Sequence, residues 1–241
     1  MKLDDAIKHL TTTTDGLKGT TFGIDEQSMG MAIRAFYQYA DAKSSIVREY
    51  TSNCHDSHRE AAMIPEMTDY ELLAMGYTGD LNELRRYFIN WKDQPVKVKV
   101  IEGSSLTGSS MQIEFHDYGV GLSPHRVKTI YTKFFASTKR ETNEQIGAYG
   151  LGCKSALGYC DSFLVETVFF GIKYSYVIYA SGEAPECRLI EEAETDEPNG
   201  TVVRVPIIES EDIWTFKTAV CRQLMYFDDL IIEGVYTFPK D

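Results

Sequence analysis

The chain has 241 residues, 43% of them hydrophobic and 25% charged, with a formal net charge of −12. Such values fit a globular polypeptide with one substantial core and exclude a disordered or collagen-like chain. The negative charge, with no run of lysines and arginines to offset it locally, also excludes binding through a phosphate backbone, so no direct nucleic acid binding is expected.

In chain order, residues 1–27, with Thr11 to Thr14 and Gly16, Gly19 and Gly23, read as an N-terminal arm or strand pair. From Ser28 to about Ala62 apolar residues recur at three and four, among them Ile33, Phe36, Ile46, Val47 and Tyr50, which predicts a helix. Thr68 to Gly76 reads as a short capped helix, and Asp80 to Trp91 as another. Val96 to Ile101 alternates as a strand, Gly103 to Ser110 is a flexible turn, and Met111 to His116 returns as a strand. Ser123 to Phe134 is helical, whereas Ala136 to Ile146 is polar and without period, as suits a mobile lid. Ser162 to Phe170, Ile172 to Ala180, Glu186 to Ala193 and Thr201 to Ile207 come next as strands, with a last helix from Asp212 to Phe227 and a closing strand from Ile231 to Phe238. Because helices and strands are segregated, the expected class is α+β, a two-layer sandwich with a mixed, mostly antiparallel sheet covered on one face by helices. With no repeat or linker in view, residues 1–241 are expected to form a single domain.

No apolar run reaches membrane-spanning length, and the start Met1-Lys-Leu-Asp-Asp has no signal-peptide core. No membrane insertion is therefore expected, and the expected location is the cytoplasm. Cys54, Cys153, Cys160, Cys187 and Cys221 are scattered without pairing or zinc spacing and read as reduced packing residues.

Four blocks carry the chemistry. Glu49, Asn53 and Asp56, spaced four and three apart, share one helical face. On spacing alone this is a solvated stripe, but an amide between two acids can hold hydrated Mg²⁺ through Asn53 while Glu49 orients or deprotonates water. Asp117-x-Gly119-x-Gly121 lies between a strand and a helix. Its glycines permit a tight turn, and its carboxylate can accept from an exocyclic amine. Gly147-x-x-Gly150-x-Gly152-x-Lys154-Ser155 leads into an apolar helical stretch, where backbone N–H groups can cradle phosphates and Lys154 can add a charge. Cys153 separates the last glycine from the lysine and no apolar strand precedes, so a P-loop is only a weak alternative. Gly200-Thr201 opens an apolar strand, where the Thr201 hydroxyl can reach a base or its bound water.

In this order the blocks resemble the GHKL superfamily of ATPases, which includes gyrase B, the heat-shock ninety chaperone, histidine kinases and MutL proteins. The likeness spans roughly Phe36 to Ile207. Arg48-Glu49-x-x-Ser52-Asn53-x-x-Asp56 resembles the chaperone's N-box, and Ala136-Ser137-Thr138-Lys139 resembles the start of its lid. Phe134 to Lys139, Ile146 to Ser155 and Tyr159 to Phe163 are similar to the N-terminal region of the rIIA proteins of T-even-type phages. The resemblance implies the Bergerat fold, with ATP lid and phosphate loop over 135–153. It implies ATP and Mg²⁺ as cofactors, Glu49 as general base and Asn53 as Mg²⁺ ligand. Asp56 is then a supporting acid, and Asp117, beside Gly119 and Gly121, an adenine contact. Ser137, Thr138 and Lys139 open the lid, Gly147, Tyr149, Gly150, Leu151, Gly152 and Lys154 form the phosphate loop, and Thr201 is a second adenine contact. A lysine at position 154 is not general in that superfamily.

The same resemblance implies ATP binding with slow hydrolysis, lid closure signalling to a protein partner or downstream domain, and a host cytoplasm if the chain is phage-encoded. In gyrase-like and MutL-like members a lysine from a following domain reaches the γ-phosphate, and the chain stops short of one. The alternative is a non-hydrolysing, nucleotide-gated interaction module acting on a host or defence complex. ATP-dependent self-association stays open, whereas a protein kinase lacks a recognisable phospho-acceptor helix. Residues 61–94 have no functional reading. His55 and His58, with no third ligand in sight, read as partly exposed helix surface, Tyr174, Tyr176 and Tyr179 as sheet packing, and Glu191 to Glu197 as a solvated turn.

Overall fold

Asp41 opens the first helix of the computed structural model, which describes residues 41–104, 108–131, 152–180 and 185–236. Its backbone is extended at ψ 98°, and its carboxylate accepts from the Ser44 N–H at 3.2 Å and the Ser44 hydroxyl at 2.6 Å. That supplies the acceptor which the first turn of α1 (Ala42–Met63) would otherwise lack. The periodicity predicts one helix from Ser28, whereas the cap at Asp41 starts α1 at Ala42. Residues 1–40 lie outside the described ones, and so do the arm and the first part of the predicted helix.

A 3-10 turn (Ile64–Glu66) leads to two short helices. In α2 (Asp69–Ala74) Thr68 and Glu71 form a reciprocal capping box, and in α3 (Leu81–Ile89) Asp80 accepts from the Asn82 and Glu83 N–H groups at 2.9 and 3.0 Å. Both match the sequence expectation to within two residues at each end.

Among the described residues seven strands form one sheet: β1 (Val96–Ser104), β2 (Ser109–Asp117), β3 (Ser162–Phe169), β4 (Ile172–Ala180), β5 (Pro185–Glu194), β6 (Gly200–Pro206) and β7 (Leu230–Glu233). Their order is β5-β4-β3-β6-β2-β1-β7, antiparallel throughout except for the parallel pair β1–β7. The expected flexible turn at 103–110 is narrower than predicted, because Ser104 pairs with Ser109 and both strands run into it. The closing strand ends at Glu233, and Glu191, Glu192 and Glu194 belong to β5 rather than to a turn.

Alternation along the strands sorts the two faces. Val98, Phe115, Val165 and Val203 point into one core with Ile46, Val47 and Tyr50 of α1 and Phe216 and Val220 of α5 (Asp212–Gln223). Tyr50 packs on Phe115 and Phe163 at centroid distances of 5.3 and 6.0 Å, and its hydroxyl donates to the Cys153 carbonyl at 3.0 Å. The opposite face is polar, with Glu114 accepting from Gln112 at 2.6 Å and from Arg204 at 3.1 Å. Each fully buried apolar side chain contributes about 1.5–3 kcal/mol, so the helix-side face dominates stability.

A second cluster lies beyond the end of α1. Ala61, Ile64, Leu72, Tyr77, Leu84 and Phe88 pack with Val120, and Phe169 and Phe170 reach it from the β3–β4 hairpin. That hairpin has Phe170 and Gly171 both at positive φ, the geometry of a two-residue turn matched to strand twist. A phenylalanine there is strained, and the strain is offset by contacts with Tyr87 at 4.9 Å and a bond from its N–H to Asn199 at 2.8 Å. Residues 61–94 are thereby fastened to the sheet. Among the described residues no helix is long and apolar enough to cross a membrane.

Candidate functional site

β2 ends on Asp117, directly opposite Thr201 at the start of β6. The Asp117 side chain is 7% exposed, and its Oδ1 accepts from the Ser57 hydroxyl of α1 and from the Gly119 N–H, both at 3.0 Å. Burial pushes its carboxyl up to about 7, against the lowering effect of those donors and of the Thr201 backbone. An acid in this state is poised to accept from a donor and gains most from one that arrives without water.

The turn after Asp117 needs glycine twice. A Cβ at Gly119 would lie 2.6 Å from the Ser57 carbonyl carbon and oxygen, so the turn touches the α1 backbone. Gly121 has φ +68°, and a Cβ there would lie 2.1 Å from the Val168 oxygen. Gly119→Ala is expected to cost about 1–3 kcal/mol by prising the turn from α1, which urea unfolding will measure.

Thr201 has a partner the sequence does not announce. Its hydroxyl lies 3.2 Å from that of Thr167 on β3, which is buried, donates to the Gly200 carbonyl at 3.0 Å and accepts from the Leu122 N–H at 2.8 Å. Asp117 and two threonine hydroxyls thus meet where β2, β6 and β3 lie side by side.

Helix α1 carries the remaining polar face. Glu49 is partly exposed and pairs with Arg48 at 2.9 Å. A Cβ on Gly152 would lie 2.5 Å from Glu49 Oε2, so the predicted phosphate loop ends against the predicted base. Asn53 is half-buried, and Asp56 is buried with Arg59 Nη1 at 3.8 Å. Beyond Gly152 the chain forms a 3-10 helix (Gly152–Gly158), so the helical stretch expected there is present in the tighter 3-10 form. Lys154 is buried, with its ammonium 5.9 Å from the Tyr131 ring centroid. Ser137, Thr138, Lys139, Gly147, Tyr149, Gly150 and Leu151 lie outside the described residues.

Among the described residues no group of three or more His, Cys, Asp and Glu side chains is placed to hold a metal by itself. The hard oxygens of Asn53 and its acidic neighbours are nonetheless the type Mg²⁺ takes, and Mg²⁺ is commonly held by one or two protein oxygens together with phosphates. The residues fit the ion in that shared mode.

His58 corrects the expectation of a partly exposed histidine. It is buried and bonded on both nitrogens, whereas His55 is half-buried, as expected, with its ring tilted against that of Phe227 at 5.3 Å. Tyr174 and Tyr176 are buried in the sheet as expected. All five cysteines are free thiols, with Cys54 and Cys160 buried.

Ser57, His58, Trp91 and Thr167 were not legible as site residues. Ser57 lies one turn beyond Asn53, and Thr167 falls on the inward phase of β3, but both signals are shared by ordinary core residues. A scan against protein-family models and a search of curated proteins each returned no match.

Proposed function

We propose that this chain is a GHKL-type ATP-binding domain of the Bergerat fold, a Mg²⁺-dependent ATPase of slow turnover in an rIIA-like phage protein. Its lid at 135–153 closes on nucleotide and signals to a protein partner or a following domain. One observation carries the reading: a buried acceptor, Asp117, is bonded to α1 one turn past Asn53 and is paired with Thr201. The adenine amine donates to Asp117, with Thr201 and Thr167 beside it. Asn53 holds Mg²⁺, which supplies charge neutralisation of the phosphates. Glu49 orients a water and takes its proton, and Gly152 leaves room for that carboxylate.

Isothermal titration with ATP, ADP and a non-hydrolysable analogue, with and without Mg²⁺, tests the reading; a chain that ignores all three ends it. Glu49→Ala is expected to abolish phosphate release while ATP affinity stays within about threefold.

A non-hydrolysing, nucleotide-gated module is favoured by one feature, the Arg48 guanidinium 2.9 Å from the Glu49 carboxylate, which engages the Oε1 oxygen that would otherwise be open to a water. Tight ATP binding with turnover unchanged by Glu49→Ala selects it.

A further inference from the structure

Residues 61–94 hold none of the groups assigned to ATP or Mg²⁺, yet they meet the Asp117 turn directly. His58 accepts the Tyr118 N–H on Nε2 at 2.9 Å, and its Nδ1 lies 2.8 Å from the Asp93 carboxylate. An amide N–H can only donate, so Nε2 carries no proton and Nδ1–H donates to Asp93. Burial lowers the imidazole's titration, in keeping with the neutral ring. Trp91 completes the frame: its indole N–H donates to the Tyr118 carbonyl at 2.8 Å, and its ring meets His58 edge-on at 5.7 Å.

Both backbone polar groups of the residue after Asp117 are therefore held from outside the turn. Ser57 holds its two ends, donating to Asp117 and accepting the Val120 N–H at 3.1 Å. Such a frame leaves the Asp117 carboxylate little freedom to swing, and a base-reading acceptor needs that restraint.

We infer that His58 and Trp91 are positioning residues for nucleobase recognition, holding the Tyr118 peptide so that Asp117 faces an exocyclic amine while Asp93 fixes the His58 tautomer. The inference rests on the ATP-binding reading and gives residues 61–94 a role in it. Base selectivity is set partly by a segment that touches no nucleotide.

The test compares binding of Mg·ATP and of Mg·purine riboside triphosphate, which lacks only the 6-amino group, by isothermal titration of the full chain. The wild type is expected to prefer ATP. His58→Leu lowers ATP affinity about tenfold, the scale of one buried hydrogen bond, and leaves the deamino analogue unchanged. His58→Gln, whose side-chain carbonyl can accept the Tyr118 N–H, restores most of the preference. Trp91→Phe keeps the aromatic contact and also reduces the preference, so it carries the test should His58→Leu fail to fold. In an Asp117→Ala background His58→Leu has no further effect on the preference. Equal weakening of both nucleotides, or an ATP preference untouched by either variant, overturns the inference and leaves ATP binding standing. A wild type that binds both nucleotides equally overturns base reading by Asp117 and this inference together.

Discussion

ATP affinity is expected to rise about tenfold between about pH 6 and about pH 8 and to level off above, and Asp117→Asn is expected to flatten that rise. Burial raises the free carboxyl to about 7, so near pH 6 most molecules carry it protonated. An amine donating to the site stabilises the ionised form, so the bound carboxyl titrates lower than the free one. Binding then releases a proton at acidic pH, and apparent affinity grows with pH until the free acid is ionised. The sign for the empty fold is opposite: a carboxyl raised above its ordinary value contributes stability below about pH 4 that is lost as pH rises through 7. Nucleotide therefore stabilises the chain most at the alkaline end. The γ-phosphate also titrates near pH 6–7, but that contribution is common to both proteins and cancels in the comparison. Asp117→Ala, which removes the acceptor altogether, is expected to weaken ATP by about 10- to 100-fold. Isothermal titration across the pH series reads both effects, and a wild-type affinity that is flat or falls with pH is inconsistent with an amine-accepting Asp117.

Arg126→Met is expected to destabilise the fold by about 3–5 kcal/mol and to lower the melting temperature by roughly 10 °C. Arg126 lies in α4 (Pro124–Arg126), a short turn that continues as a π-turn (Val127–Tyr131) just before the predicted lid. Its guanidinium bonds Glu60 of α1 at 2.7 Å and the Tyr77 hydroxyl at 3.0 Å, and it covers the Tyr77 ring at 4.4 Å. Tyr77 also donates to Glu60. Exposure of Glu60, Tyr77 and Arg126 is 5%, 1% and 5%, so removing the cation leaves a carboxylate stranded among apolar neighbours. Replacing both ions, as in Glu60→Leu with Arg126→Met, is expected to recover most of the loss, because the pair's attraction and its desolvation nearly offset. Thermal and urea denaturation of the two singles and the double decide this. Additive losses in the double mutant would show that the two side chains act separately.

The local layer of the fold was legible and the long-range layer was not. Thr68 with Glu71 and Asp80 before α3 are encoded within a few residues, and each lies where the pattern predicts. Strand phase was equally readable, because alternation in β1 and β2 records which face is buried. Strand order is a different matter. Placing β6 between β3 and β2 is what sets Thr201 against both Asp117 and Thr167, and no local pattern dictates that neighbourhood. Of the site, Asp117, Gly119, Gly121 and Thr201 could be picked out by residue type. His58 could not, because helical spacing reports direction rather than depth, and its burial depends on Trp91 folding back from the end of the 61–94 segment. The helical stretch after Gly152 was legible, but its 3-10 form was not, because that segment packs on α1 and tertiary contact overrides propensity.

Among the described residues β5 lies at one end of the order of strands, with Glu186, Glu191, Glu192 and Glu194 exposed along it beside a single cation, Arg188. A second molecule offering the same rim would set carboxylate against carboxylate at ladder spacing, where like charges repel. Growth of the β-structure by stacking copies side to side is thus opposed there, and any pairing of two molecules is steered toward a different surface.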